Sequence, residues 1–230
     1  MAETALYDPV VVEPKLTDLK VRELTSFGRE SAKLDYKVEL DPSDTIHKVG
    51  LAKDIMAMAN TAGGYVVVGV DDTGNVVGCD ATLAARLDES VIRSQVAGYT
   101  SARIPLFVDN RIIYQGKRLV VITALPMINT LVVAETDGNI PKRSAAFRKG
   151  DVLVRHGSAS ERWNQADVDF LLRRIMATRK EEWIREFGND IRTLASIAIN
   201  SPKLIGPETY DLPPEDFQKL VIDLLRQPNG

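Results

Sequence analysis

The stretch "GGYVVVGV", residues 63–70, constrains the fold more than any other part of this chain. A continuous run of β-branched residues bounded by glycines reads as a fully buried central strand, because alternation disappears when both faces of a strand are covered. The preceding "TIHKVGLAKDIMAMANTA" carries apolar residues at helical spacing, with Ile46, Val49, Ile55, Met56 and Ala59 as its core stripe. Ser43 or Asp44 can cap its start, and Gly63-Gly64 stop it, since glycine readily takes the left-handed conformation that ends helices. "DDTGN" then turns the chain, with Gly74 suited to a positive φ, and "VVG" is expected to pair back as a hairpin.

On the N-terminal side, "ESAKLDYKVEL" alternates with a period of two. Leu34, Tyr36, Val38 and Leu40 fall on one side, and Lys33, Asp35, Lys37 and Glu39 on the other, which predicts a half-buried strand over about 34–40. Further on, a helix is expected near 83–98, with Leu83, Leu87, Val91 and Ile92 on one face. Strands are expected at "LFVDNRIIY", "RLVVITAL" and "AFRKGDVLVRH", with Gly116 and Gly150 at their turns. A long helix is expected to begin after Ser158 or Ser160 and run to about Gly188. The fold class is therefore α+β: a mixed, mainly antiparallel sheet packed with helices, plus a C-terminal helical extension. The domain occupies residues 25–180, preceded by an extension over 1–24 and followed by 181–230, where "DLPPEDFQKLVIDLLRQ" reads as a proline-initiated helix or the start of a linker.

Composition excludes several function classes. The 44% hydrophobic and 27% charged fractions are those of a soluble globular chain, and no apolar run approaches the roughly 20 residues that span a bilayer. A basic segment leading into an apolar stretch is missing from the N-terminus, so a cytoplasmic location is expected. A single cysteine and two histidines exclude a Cys/His zinc cage, and no G-x-x-x-x-G-K-[ST] loop supports a Walker-type ATP site.

The net charge is −3, yet residues 141–162 hold six Lys/Arg against two acids. Lys142, Arg143, Arg148, Lys149 and Arg155 are the candidate contacts to a nucleic-acid backbone. A solvated face with its counter-charges supplied by the fold reads equally well from the sequence.

The other chemistry is acidic. Glu30 precedes the first strand, Asp35 and Lys37 share a face of it, and Asp71-Asp72 end the buried strand. If the two strands are neighbours, carboxylates converge at one sheet edge, where Mg²⁺ or Mn²⁺ needs only two or three of them. A lysine two positions from an acid lies on the same face, about 6.5–7 Å along the strand, placed to stabilise charge on a phosphoryl oxygen. Ordinary amphipathic decoration and a good Asp-Gly turn explain the same residues.

These segments resemble the Schlafen AlbA-type domain. The pattern E-S-x-x-[LV]-[ED]-[FY]-K, a helix ending A-x-A-N-T-x-G-G, an apolar strand, G-V-D-D, V-x-G and a later Arg before a Gly-Ser turn all occur in order. They fall on Glu30-Ser31, Leu34 to Lys37, Ala57 to Gly64, Gly69 to Asp72, Val77-Gly78 and Arg155 to Ser158, and the likeness covers about 25–175. Bacterial members are described as DNA-binding or regulatory domains, while eukaryotic Schlafen proteins are metal-dependent endoribonucleases that cut transfer and ribosomal RNA. The resemblance implies catalytic and metal-binding carboxylates at Glu30, Asp35 and Asp72, with Lys37 beside the phosphate. Asp35 stands where those nucleases carry Glu. It further implies RNA or DNA as partner and, because the nucleases pair two such lobes, a homodimer or larger assembly. The alternatives it leaves are a non-catalytic DNA-binding module and an interaction or nucleotide-binding module of a larger defence complex.

Overall fold

Three consecutive valines in a strand can all be buried only if both faces of the sheet are covered, and this is how the chain is built. The computed structural model describes the backbone of residues 10–200 and the side chains of residues 10–183. In chain order the elements are α1 (Asp18–Ser26), β1 (Leu34–Lys37), α2 (Thr45–Asn60), β2 (Gly64–Val68), α3 (Ala81–Arg86), α4 (Glu89–Ala97), β3 (Leu106–Tyr114), β4 (Lys117–Ala124), β5 (Leu153–His156), β6 (Ala159–Arg162) and α5 (Gln165–Asn200). The α+β class and the mixed sheet stand as expected. The helix expected over 211–227 lies outside the described residues. Contacts divide the chain into two units, Met1–Ile175 and Met176–Gly230, and the features below belong to the first.

The main sheet runs β1-β2-β4-β3, with β1 parallel to β2 and the other pairs antiparallel. Side chains alternate between two cores. Val66, Val68, Val120 and Ile122 point to one face, where they meet Leu51, Ile55 and Met58 of α2 and Ile92 and Val96 of α4. Tyr65, Val67, Leu119 and Val121 point to the other, against Val21 and Leu24 of α1 and Val10. All of β2 is buried, and each valine so placed contributes roughly 1.5–3 kcal/mol.

From residue 10 onward, the expected N-terminal extension is therefore part of the core. It is held there by polar contacts as well: Tyr65 Oη accepts the Glu13 N–H at 2.8 Å, and Lys33 Nζ donates to the Val10 carbonyl at 2.8 Å.

Other expectations shift for physical reasons. β1 ends at Lys37, three residues early, and Val38 is exposed rather than inward. Asp44 caps α2, accepting from the N–H groups of Ile46 and His47, but Ile46 lies outside the core stripe, exposed to solvent. The helix expected near 83–98 is two, because Asp88 accepts the Ser90 N–H and starts a second one. "VVG" makes a single bridge, Val70 to Val76, not a hairpin. The strand expected from Ala146 begins only at Leu153, and residues 159–162 pair with it as β6 before α5 starts at Gln165. Trp163 packs against Val152, Val154 and Leu171, whereas Trp183 is exposed.

Two glycines are dictated by space. A Cβ at Gly64 would lie 2.7 Å from the Met58 sulfur and 3.0 Å from the Lys33 carbonyl, so the helix-to-strand step tolerates no side chain. Gly74 has φ +84°, and a Cβ there would sit 2.6 Å from the Gly28 Cα. That contact lays the Asp71-Asp72 turn against the segment leading into Glu30.

Asn60 does not cap its own turn. Its amide donates to the carbonyls of Val132 (2.8 Å) and Leu153 (2.9 Å), and its Oδ1 accepts the Val132 N–H (2.8 Å), tying α2 to β5 and the preceding loop. Asn60→Ala leaves three buried backbone groups unpaired and is expected to cost at least about 2 kcal/mol in a urea unfolding curve, with an unchanged slope.

Candidate functional site

β1 lies beside β2 with Asp35 opposite Val66, so the Asp35 side chain leaves the sheet on the α2 face. It is 3% exposed, not solvated as the alternation suggested. There it meets three other charged groups. Lys37 Nζ is 2.6 Å from Asp35 Oδ2, a close ion pair off hydrogen-bond alignment, and 3.4 Å from Asp54 Oδ2. Arg155 Nη1 lies 3.4 Å from Asp35 Oδ1 and 3.5 Å from Asp54 Oδ1. Ser160 Oγ donates to Asp54 Oδ1 at 2.8 Å and accepts from Arg155 Nη1 at 3.1 Å, while Arg155 Nη2 donates to the Ser31 carbonyl at 3.0 Å. Two carboxylates and two cations thus balance in a largely buried site.

The electrostatics follow from burial. Desolvation first, then the neighbouring Asp54 charge, raise the Asp35 carboxyl to about 6, against the pull of Lys37 and Arg155. Burial pulls Lys37 down, but Asp54 and Asp35 outweigh it, and its pKa lies above the ordinary lysine value.

Asp54 and Ser160 belong to this charge cluster, and motif reading missed both. Asp54 had a signal: it shares a helical face with Leu51 and Met58, both buried, and an acid inside an apolar stripe needs a buried partner. Ser160 had none, since β6 was read as the approach to a helix.

The expected metal ligands are not gathered. Glu30 Oε1 accepts the Tyr36 N–H at 3.0 Å along the open edge of β1, and Asp35 faces two cations. Asp72 is exposed on its turn. Its neighbour Asp71 accepts from the Thr73 hydroxyl and the Asn75 N–H and side chain, which hold its carboxyl down to about 2. Among the described residues no three His, Cys, Asp or Glu side chains are grouped to hold a metal ion. Mg²⁺ or Mn²⁺ on Glu30, Asp35 and Asp72 does not fit these positions, because Asp35 is already neutralised and the other two do not converge on it.

The basic stretch divides. Arg155 is buried in the charge cluster, its side chain fully enclosed, and does not face a ligand. Lys142, Arg143, Arg148 and Lys149 are exposed on a fixed loop. The loop is cinched where Gly138 N–H donates to the Phe147 carbonyl and Ala146 N–H to the Gly138 carbonyl, both at 2.9 Å. Phe147 is fully buried and meets Tyr99 edge-on, with ring centroids 5.4 Å apart. At the tip, Lys142 takes φ +60°, uncommon without glycine. Two nearby acids are engaged by other donors: Asp151 Oδ2 accepts the Arg148 N–H (2.6 Å) and the Arg162 side chain through Nε (2.9 Å), and Asp137 Oδ1 accepts the Lys149 N–H (2.8 Å). Among the described residues, none of the four cationic heads has an ion-pair partner within 4 Å.

A family model described as Schlafen, AlbA_2 matches residues 30–164. No curated protein matches. Among solved structures, the DIP2311 protein from Corynebacterium diphtheriae is similar at 17% identity and a TM-score of 0.44, over 67% of this chain and 32% of that one. The chain thus spans about a third of that structure's length. No helix among the described residues is long and apolar enough to cross a membrane.

Because the Asp35 pKa is raised on folding, its contribution to stability is full below about 4 and is lost as the pH rises through about 6. Subtracting the unfolding free energy of Asp35→Asn from that of the wild type across this window is expected to give a difference that falls as the pH rises. A flat difference would place Asp35 in water.

Proposed function

Since the chain belongs to the Schlafen AlbA_2 family, a family associated with nucleic acids, we propose that it binds a nucleic-acid backbone through the cinched basic loop at residues 142–149. The observation that carries this reading is the set of four exposed cations that, among the described residues, have no ion-pair partner within 4 Å. Such cations are available to phosphates, and binding by them is governed by counterion release. A loop anchored by a buried phenylalanine holds them without a large ordering cost on binding.

The buried cluster has a different role in this reading. With its charges balanced, Arg155 fixes the β5–β6 hairpin to β1 and α2, and Lys37 screens two acids that would otherwise repel phosphate. The domain is then a binding module, and metal-dependent phosphodiester hydrolysis is the competing outcome. For hydrolysis, Glu30 and Asp72 would have to swing toward Asp35, and Lys37 would have to leave it.

Filter binding of labelled RNA and duplex DNA at several salt concentrations, with and without Mn²⁺, tests both. Four phosphate contacts predict a log–log salt slope of about −3 to −4, and each of Lys142→Ala and Arg143→Ala is expected to reduce it by about one. Arg148→Glu with Lys149→Glu is expected to abolish binding, while Asp35→Asn retains it. Unchanged binding by the charge-reversed protein would sink the interface. Mn²⁺-dependent cleavage that disappears in Glu30→Gln or Asp72→Asn would replace the binding module with the nuclease.

A further inference from the structure

The β5–β6 hairpin is fastened from both of its faces. On the inner face Arg155 enters the buried cluster, and its N–H donates to Thr61 Oγ1 at the end of α2 (2.9 Å). The next residue along the strand points the other way, and it is His156, one of only two histidines in the chain. Its Nδ1 lies 3.1 Å from Glu161 Oε2 on β6, and its Nε2 lies 2.9 Å from Asp167 Oδ1 in the first turn of α5. Asp167 is itself held: its Oδ2 accepts the Asn164 N–H (2.8 Å), while Asn164 Oδ1 accepts the N–H groups of Ala166 (2.8 Å) and Asp167 (3.2 Å). This reciprocal pair caps α5, so the carboxylate facing His156 is fixed in place.

A ring with a carboxylate at each nitrogen satisfies both only as an imidazolium, which donates twice; a neutral imidazole donates once. We propose that His156 is a pH-sensitive clasp that holds the β5–β6 hairpin to the first turn of α5 when protonated and releases one of its two ties when neutral. Glu161 and Asp167 are the charged groups that face the ring from the two elements packed against it. Hydrogen bonds to Asp167 and then Glu161 raise its pKa above the ordinary histidine value, outweighing the partial burial that lowers it. The clasp is fully closed below about 6.5 and is lost as the pH rises through the raised folded value. The hairpin also ends in Arg162, paired with the Asp151 that holds the Arg148 N–H, so its position is linked to the base of the basic loop. The clasp itself does not depend on any ligand for that loop.

An NMR titration of the two histidine rings in the full chain, assigned with His47→Gln, tests the proposal directly. His156 is expected to titrate above about 6.5, and its pKa is expected to drop in Glu161→Gln and in Asp167→Asn. Glu161→Gln is the cleaner variant because Asp167 also caps the helix. Hydrogen exchange of the 153–162 amides, normalised for intrinsic rates, is expected to be slower at about pH 6 than at about pH 8, a difference that vanishes in His156→Gln. Titration of His156 at or below the ordinary value would overturn the clasp. So would a protection difference that persists in His156→Gln.

Discussion

Coverage of both faces of β2 is the constraint on which the rest of the unit depends. Once α2 lies over one face and α1 with residues 10–16 over the other, the neighbouring strand β1 has no wet side left. Leu34 and Tyr36 go to the α1 face at no electrostatic cost. Asp35 goes to the α2 face as a charge, and an unpaired carboxylate there would be strongly disfavoured. The fold answers with Arg155, brought from far along the chain by the β5–β6 hairpin, and with Lys37 from the same strand. The hairpin is therefore more than an appendage to the sheet. It delivers the cation that makes the burial of β1 tolerable, and Asn60 and Thr61 hold it in register against the end of α2.

That dependence explains which parts of the structure were legible in the sequence. The β2 run, the Asp44 cap and the glycine stop are local signals, and each states its own structure. The period of β1 correctly separated two faces, but periodicity reports only that side chains alternate. Whether the polar face meets water is decided by α2, whose acid at position 54 was the clue. An acid flanked at helical spacing by Leu51 and Met58 asks for a buried partner, and read together with Asp35 it implied the cluster. The break between α3 and α4 was legible too, in Asp88 as a cap followed by Glu89, but the apolar stripe ran across it. β6 was not legible, because "ASER" has no strand pattern; it pairs with β5, with Arg155 opposite Ser160 and both side chains on the buried charges.

The stretch from 141 to 162 shows why counting charges along a sequence locates a patch only coarsely. Arg148 and Arg155 are seven residues apart and face opposite environments. One stands on a loop whose acids are engaged by backbone amides, which leaves its guanidinium in water. The other is surrounded by side-chain acids and a carbonyl, which leaves none of its surface exposed. What separates them is the donor that each acid meets. An aspartate that caps a turn keeps its charge, but its oxygens are engaged by N–H groups and make no direct ion pair with the loop cations.

The same distinction bears on chemistry. A metal ion displaces protons or cations from the oxygens it binds, so a carboxylate already matched by lysine and arginine offers it little net charge. Of the three expected ligands, Asp35 is the one matched by two cations, while Asp72 stands exposed on its turn. The loop cations are in the reverse condition, unmatched and exposed, with a backbone held rigid beneath them. Salt separates the two regimes physically: screening acts over about 8–10 Å in water and reaches the loop in full, but acts weakly across the closed wall of α2 and β5. An interaction with nucleic acid that weakens steeply with salt therefore belongs to the loop, and one that resists salt would have to involve the cluster.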